Sequence, residues 1–190
     1  MAKITVVVGN SMTDSYSEAL GQAYKRGAES GGHQVTLLSL ARMNFDPILR
    51  GGYRALQPLE PDLAAAHEAL IGCDHMVFIF PLWCGDMPAL MKGFIERVLQ
   101  PDLLAVQKSK GKWDVFKGKS AHVIMTMGMP GWFYRWYFGA HALKLFKRNV
   151  LKFMGARPVR STVFGMIEAV GDEKRKQWLR EVEALGHQAR

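Results

Sequence analysis

Residues 76–99 read MVFIFPLWCGDMPALMKGFIERVL, which joins an apolar run, a short loop and a helix-like segment without a spacer. Met76–Phe80 is too short for a membrane span and is typical of a strand buried on both faces of a parallel sheet. Asp86 and Pro88 suit the first turn of a helix. Ligands of open α/β sheets bind at the carboxyl ends of strands. The loop Leu82–Gly85 is therefore a candidate binding site, and the alternative is a plain strand-to-helix turn.

Short strand-like runs and longer helix-like runs alternate on both sides of this segment. The crossovers are long enough for helices, which predicts an α/β fold with a doubly wound, five-stranded parallel sheet, order 2-1-3-4-5, and helices on both faces. Residues 1–190 are expected to form a single domain. The predicted strands are Lys3–Val8, Gln34–Leu40, a central strand from about His75, Ser120–Thr126 and Arg157–Phe164. The predicted helices are Ser15–Ser30, Pro61–Ile71, a segment ending at Leu99, Phe138–Phe153 and Asp172–Gly186, and Pro101–Gly118 is a basic, turn-rich connection.

Composition indicates a soluble globular protein, with 48% hydrophobic and 22% charged residues. The formal net charge of +8 favours anionic partners such as nucleic acid, an acidic membrane surface or a phosphorylated cofactor. No zinc-finger spacing, RNP-like strand or compact arginine run supports nucleic acid, so we predict no nucleic-acid partner. The two cysteines, Cys73 and Cys84, have no CxxC spacing, which predicts no metal site and a reduced, cytoplasmic protein. The amino terminus reads as a first strand and not as a signal peptide.

The loop Gly9–Ser17, which follows the first strand, is rich in hydroxyl groups. Backbone N–H groups at a helix start carry partial positive charge, so this loop suits a phosphate. It lacks both the GK[ST] motif of hydrolysing P-loops and the GxGxxG fingerprint of dinucleotide sites. Asp14 would repel a phosphate, and we expect it to cap the helix with its side chain turned away. The alternative is a helix cap without a ligand.

A third loop, Thr126–Gly131, again follows a strand and contains glycines that permit a close approach to a flat ligand. The three loops are expected to meet at one edge of the sheet. Six aromatic residues follow within Trp132–Phe138. Some will pack in the core, and the others indicate a stacking pocket, a dimer interface or both, with a membrane-facing patch as a third possibility.

Two segments carry a resemblance to a known family. Phe80–Leu99 is close to the pattern FPLxW-x-x-xPAxLKGxxxRV, and Leu40–Leu49, LARMNFDPIL, looks like LYxMNFxPxL. Both patterns belong to the flavodoxin-like NAD(P)H:quinone oxidoreductases, the group of DT-diaphorase and the ancillary subunits of potassium-efflux systems. The resemblance covers nearly the whole chain. It implies a flavodoxin-like fold, a flavin cofactor (FMN or FAD), NAD(P)H as electron donor, a quinone-like acceptor and a homodimer.

The resemblance also implies which residues hold the flavin. The phosphate would contact the first loop, at Asn10, Ser11, Ser15, Tyr16 and Ser17. The ring would lie between the second and third loops, at Pro81, Leu82, Trp83, Cys84 and Gly85 and at Thr126, Met127, Gly128 and Met129. Backbone N–H groups of Leu82–Gly85 would face the N5 edge of the ring. By itself, Cys84 reads as a small packing residue, because no neighbour in sequence would lower its pKa.

Two catalytic candidates follow from the same resemblance. The proton-relay tyrosine of the family falls on Tyr134, and its histidine matches His141 if one residue is inserted, since an ungapped alignment reaches Ala140. Either group would protonate a quinone oxygen or balance charge on the reduced ring. His141 has a second interpretation as an inert histidine on a helix.

The implied function is two-electron reduction of quinones by ping-pong hydride transfer, and two alternatives remain open. A flavodoxin-type electron carrier would bind the same flavin, although such carriers usually present acidic surfaces. A regulatory subunit would dock on a membrane transport protein through the aromatic run and a basic helix face. That face consists of Lys144, Lys147, Arg148 and Lys152, and it is either simply solvated or attracts the extra phosphate of NADPH or an acidic partner.

Overall fold

A five-stranded parallel sheet forms the centre of the protein, with strand order β2-β1-β3-β4-β5. The structure is a computed structural model, and it describes residues 1–105 and 114–189. Every neighbouring pair of strands is parallel, which confirms the predicted fold class and strand order. The strands are β1 (Lys3–Val8), β2 (Gln34–Ser39), β3 (His75–Pro81), β4 (Ser120–Thr126) and β5 (Val159–Phe164).

Helices cover both faces of this sheet. Residues 106–113, within the predicted basic connection, lie outside the described residues. No helix of the described ranges is long and apolar enough to cross a membrane. The helices are α1 (Tyr16–Ser30), α2 (Pro61–Gly72), α3 (Ala89–Val98), α4 (Pro101–Ala105), α5 (Gly131–Trp136), α6 (His141–Leu145) and α7 (Asp172–His187), with a 3₁₀ turn at Leu40–Arg42 and a π-helical segment at Phe146–Lys152.

Successive residues of β3 point into two different cores. Phe78 and Phe80 belong to one cluster, and Val77 and Ile79 belong to another on the opposite face. This alternation follows from the period of two along a strand. A strand buried on both faces needs an unbroken apolar run, which explains why Met76–Phe80 contains no polar residue.

The predicted helix Phe138–Phe153 is wrong in its boundaries. Gly139 and Ala140 have φ values of +59° and +51°, and two successive left-handed residues interrupt a right-handed helix. The chain is helical before this break, in α5, and again after it, in α6 and the π-helical segment. Most of the aromatic run therefore lies on a short helix, α5, at the carboxyl end of β4.

Candidate functional site

A cleft of about 610 Å³ opens at the carboxyl ends of β1, β3 and β4. The loops that follow these three strands supply most of its walls, as expected for a doubly wound sheet at the point where the strand order reverses. It contains ten of the fourteen residues predicted to hold a cofactor. These ten are Asn10, Ser15, Tyr16, Ser17, Pro81, Leu82, Trp83, Thr126, Met127 and Gly128; Ser11, Cys84, Gly85 and Met129 belong to the same loops but not to the cleft lining.

The first loop is ordered by its own polar side chains. The Oδ1 atom of the buried Asn10 accepts a hydrogen bond from the Met12 N–H at 3.0 Å. Ser15 is the N-cap of α1, and its Oγ accepts a hydrogen bond from the Glu18 N–H at 3.3 Å. The first N–H groups of a helix have no partner within the helix, and they attract anions. This end of the cleft therefore offers hydroxyl and N–H donors to an anionic group.

Asp14 does not have the position that the sequence predicted. The cap is Ser15, one residue later, and Asp14 lines the cleft. A serine hydroxyl and an aspartate carboxylate are about equally good caps, so the sequence did not distinguish the two residues. The cleft consequently contains a carboxylate close to the start of α1.

The second loop contains a tight two-residue turn. Trp83 and Asp86 exchange both backbone hydrogen bonds, at 2.8 and 2.9 Å, and the two residues between them have positive φ. Cys84, with φ of +49°, is exposed at the tip of this turn, so the interpretation of Cys84 as a packing residue is wrong. Trp83 is partly exposed and lines the cleft, which excludes a role in the core.

Two of the N–H groups expected to face the ring are already bonded within the protein. The Leu82 N–H donates to the Thr126 carbonyl oxygen at 2.8 Å, and the Trp83 N–H donates to Asp86. The bond from Leu82 joins the second loop to the third. It fixes the distance between these two walls of the cleft.

Backbone hydrogen bonds join the third loop to the end of β5 and to the residues that follow it. The Met127 N–H donates to the Phe164 carbonyl at 2.9 Å, and the Met127 carbonyl accepts from the Ile167 N–H at 3.1 Å. Gly128 is exposed, and a Cβ atom added there would meet no other atom within 4 Å. The cleft is therefore open beside Gly128.

A fourth segment, which the sequence did not predict, completes the cleft. Ile167 and Glu168 follow β5, and Arg175 lies on α7. The Arg175 guanidinium donates to the Ile167 carbonyl at 3.1 Å and to the Asp172 carboxylate. The Arg175 carbonyl accepts from the Tyr16 hydroxyl at 2.7 Å, and burial raises the pKa of Tyr16 to about 12. The predicted strand order was the one indication in the sequence that this segment could reach the cleft, because β5 lies beside β4 and ends at the same edge of the sheet.

The two catalytic candidates lie in different environments. Tyr134 is buried on α5, and its hydroxyl oxygen accepts a hydrogen bond from the Leu143 N–H at 3.2 Å. Burial raises the pKa of Tyr134, and the nearby Asp86 carboxylate acts in the same direction. His141 is exposed at the first position of α6. Neither side chain belongs to the described cleft lining, and both roles stay predictions.

The donor groups of the cleft fit an anionic group joined to a flat ring. Hydroxyl and N–H groups lie at the start of α1, and Trp83 and Gly128 provide an aromatic wall and an open one. Within the described ranges, no group of three histidine, cysteine, aspartate or glutamate residues could hold a metal ion.

A comparison with protein-family models matches residues 2–185 to one family, described as having a flavodoxin-like fold. The match extends over nearly the whole chain. This chain belongs to the flavodoxin-like fold family. The membership agrees with the parallel sheet of order 2-1-3-4-5 and with the position of the cleft.

Several proteins that are similar to this chain are named as oxidoreductases. An uncharacterized NAD(P)H oxidoreductase of Haemophilus influenzae is 25% identical over 85% of this chain and 82% of its own. NAD(P)H dehydrogenase [quinone] 1 of Rattus norvegicus is 24% identical over 68% of this chain, and the match spans 54% of the rat protein. A solved NAD(P)H:quinone oxidoreductase from Methanothermobacter marburgensis has a TM-score of 0.82 at 22% identity, covering 98% of this chain and 95% of that one. That structural likeness demonstrates the common fold.

Proposed function

We propose that this protein is a flavin-dependent NAD(P)H:quinone oxidoreductase. One observation carries the proposal: a single cleft combines anion-binding donors at the start of α1 with the aromatic side chain of Trp83 and open space beside Gly128. The names of the relatives from Haemophilus influenzae and Rattus norvegicus support the same reaction class. The reaction would transfer two electrons from NAD(P)H to a quinone or a related acceptor.

Different segments of the cleft would bind different parts of the flavin. The first loop would hold the phosphate through Ser15, Ser17 and the N–H groups of α1. The second and third loops would hold the ring, at Pro81–Gly85 and Thr126–Met129. A flavin bound there would supply the two-electron chemistry that links NAD(P)H to the quinone, and the two substrates would use the same cleft in turn, in ping-pong order. The protein supplies the orientation of the ring and the dipoles around it.

Tyr134 would supply a proton to a quinone oxygen. Its raised pKa keeps the hydroxyl protonated at neutral pH, so the group is available as an acid. The Leu143 N–H fixes the position of the hydroxyl oxygen. His141, exposed at the first position of α6, is the second proposed proton carrier, because an imidazole can both accept and donate a proton.

The first experiment is an anaerobic absorption titration of the purified protein. We expect a yellow protein whose flavin bands bleach on addition of NADPH and return on addition of one equivalent of a soluble quinone. Chromatography of the released cofactor distinguishes FMN from FAD, and parallel titrations compare NADH with NADPH. Bands that bleach but do not return with quinone would favour the electron carrier. A colourless protein that takes up neither FMN nor FAD would refute the proposal.

A matched pair of glycine variants tests whether the cleft is the flavin site. A Cβ atom added at Gly128 or at Gly72 would meet no other atom within 4 Å, and both residues have ordinary backbone angles, but only Gly128 lines this cleft. The leucine side chain of Gly128→Leu should occupy the open space of the cleft and abolish flavin uptake. The Gly72→Leu variant should bind flavin as the parent protein does. Equal flavin binding by the two variants would exclude the cleft as the site.

The homodimer and the cytoplasmic location complete the proposal. Light scattering of the flavin-bound protein measures the first, and a twofold molar mass is expected. Fractionation of cells measures the second.

A further inference from the structure

Four aromatic side chains form an exposed patch next to the cleft. They are Trp132, Trp136, Tyr137 and Phe138, here called the aromatic patch. Trp132 and Trp136 are 68% and 78% exposed, which is far more than a tryptophan that packs in a core would show. The patch is ordered by contacts with Phe133, whose ring stacks on Tyr137 at 5.1 Å and meets Phe138 edge-on at 5.7 Å. A contiguous exposed aromatic surface marks an interaction site.

A basic groove of about 540 Å³ adjoins this patch. Five cations line this cavity, which is called the basic groove from here on: Arg135, Lys144, Lys147, Arg148 and Lys152. In the part of the chain that the structure describes, none of these cations forms an ion pair with a carboxylate. A hydroxyl is the partner of Lys147, whose Nζ donates to Ser161 Oγ at 3.0 Å. The groove therefore concentrates positive charge that no carboxylate of the described residues neutralises through an ion pair.

Repulsion within the groove shows how closely its charges lie. Burial lowers the pKa of Lys147, and Lys152 and Arg135 lower it further. An anion bound in the groove would offset both the burial of the Lys147 charge and its repulsion by Lys152 and Arg135. A second cavity of about 590 Å³ extends the groove along the same side, since Arg148 and Lys152 also line it together with Arg157.

The aromatic patch and the basic groove are parts of one surface. Arg135 lies on α5 between Trp132 and Trp136, and it also lines the groove. The surface therefore presents amphipathic rings beside cations. Tryptophan and tyrosine favour the headgroup level of a bilayer, and lysine and arginine are attracted to anionic headgroups.

We propose that the aromatic patch and the basic groove together dock the protein on an anionic lipid bilayer. The inference goes beyond the proposed reaction and does not rest on it. A second copy of the chain that covered the groove about a two-fold axis through it would oppose like charges, which makes it a poorer partner than an anionic surface. If the proposed function is also correct, docking brings the cleft near quinones dissolved in the bilayer, since α5 begins three residues after Gly128.

The test is flotation of the purified protein, together with any cofactor that it carries, in the presence of two kinds of vesicle. One kind is phosphatidylcholine alone, and the other is phosphatidylcholine and phosphatidylglycerol in equal parts. We expect binding to the anionic vesicles and release at high salt. Equal binding to both kinds, or no binding to either, would overturn the proposal.

Two pairs of charge variants locate the surface. Each cation near an anionic bilayer contributes about fivefold to the affinity, so Lys144→Gln with Arg148→Gln should lose about 25-fold. The control is Lys176→Gln with Arg180→Gln. It replaces two exposed cations of α7 and lowers the net charge by the same amount. The control should lose less than about threefold, since only the general field of the protein changes. A loss as large as that of the groove variant would contradict a defined surface.

The aromatic contribution needs its own variant. Trp136→Ser should weaken binding to anionic vesicles, while circular dichroism stays unchanged. Light scattering of the same variant tests the rival occupant. If Trp136→Ser turns a dimer into monomers and binds vesicles as the parent does, the aromatic patch is a subunit interface and the proposal is wrong.

Discussion

Replacing Arg97 by alanine should destabilise the protein and release the long connection between β2 and α2. The Arg97 side chain is fully buried, at 0% exposure. It donates to the carbonyl oxygens of Asp46 and Pro58, the latter at 2.8 Å, and its two terminal nitrogens reach both carboxylate oxygens of Glu60, at 2.7 and 3.3 Å. Three separate points of the connection thus converge on one guanidinium.

The expected loss follows from the groups left behind. Removing one partner of a fully buried ion pair costs about 3–5 kcal/mol, and the loss of the pair itself is smaller here because the Glu60 side chain is 32% exposed. Two carbonyl acceptors left without a donor would cost about 1–3 kcal/mol each, which gives a similar total. For a chain of this size the loss corresponds to a fall of about 6–20 °C in Tm. Arg97 also holds the pKa of Glu60 below its usual value. That part of the stability is present above the unfolded pKa of Glu60 and is lost as the pH falls through its folded value.

Urea unfolding, followed by tryptophan fluorescence, measures the loss against a matched control. Arg50 lies in the same connection and pairs with Asp46 at 2.8 Å, but its side chain is 72% exposed. Arg50→Ala should therefore cost less than about 1 kcal/mol. Arg97→Met keeps the volume of the side chain and removes only its donors, so it should remain clearly less stable than the parent. If Arg97→Ala and Arg50→Ala unfold at the same urea concentration, the buried contacts do not stabilise the connection.

Three further predictions concern single groups. Tyr134→Phe should lower kcat for quinone reduction by about 100-fold with flavin binding unchanged, and steady-state kinetics would contradict the proposed proton donor if kcat stays at the parental value. Burial lowers the pKa of His75 to about 4, so the unfolded chain takes up a proton first as the pH falls below about 6.5, and the protein should lose stability between these values. His75→Gln should flatten that slope in thermal melts, and an unchanged slope would assign it to other groups. Asp14→Asn should tighten flavin binding about threefold by removing a carboxylate from the cleft, and fluorescence titration would refute the reasoning if the affinity falls.

The sheet was predictable because its signal is local in the sequence. Met76–Phe80 is apolar throughout, and a strand with helices on both faces requires that pattern. The broken helix was not predictable, because the break at Ala140 is a left-handed residue that carries a Cβ atom. The Ala140 N–H bonds to the Tyr134 carbonyl, six residues earlier, at 3.1 Å, and this local bond closes the end of α5. Propensity and periodicity contain no information about that bond.

The candidate site divides in the same way. Loops with unusual composition, such as Gly9–Ser17, were recognisable from the sequence, and most of their predicted residues line the cleft. Ile167, Glu168 and Arg175 were not recognised, because nothing in their types or spacing indicates a ligand. Their membership depends on where β5 ends relative to β4, a property of the assembled sheet.

Close backbone contacts connect the cleft to the surface proposed for bilayer docking. A Cβ atom at Gly165 would lie 2.5 Å from the Gly131 nitrogen and 2.7 Å from the Met129 carbonyl oxygen, so only glycine permits this approach. The Met129 carbonyl also accepts from the Met166 N–H at 3.1 Å. Gly131 is the first residue of α5, which presents Trp132 to solvent. The backbone that forms one wall of the cleft therefore also sets the position of the aromatic patch.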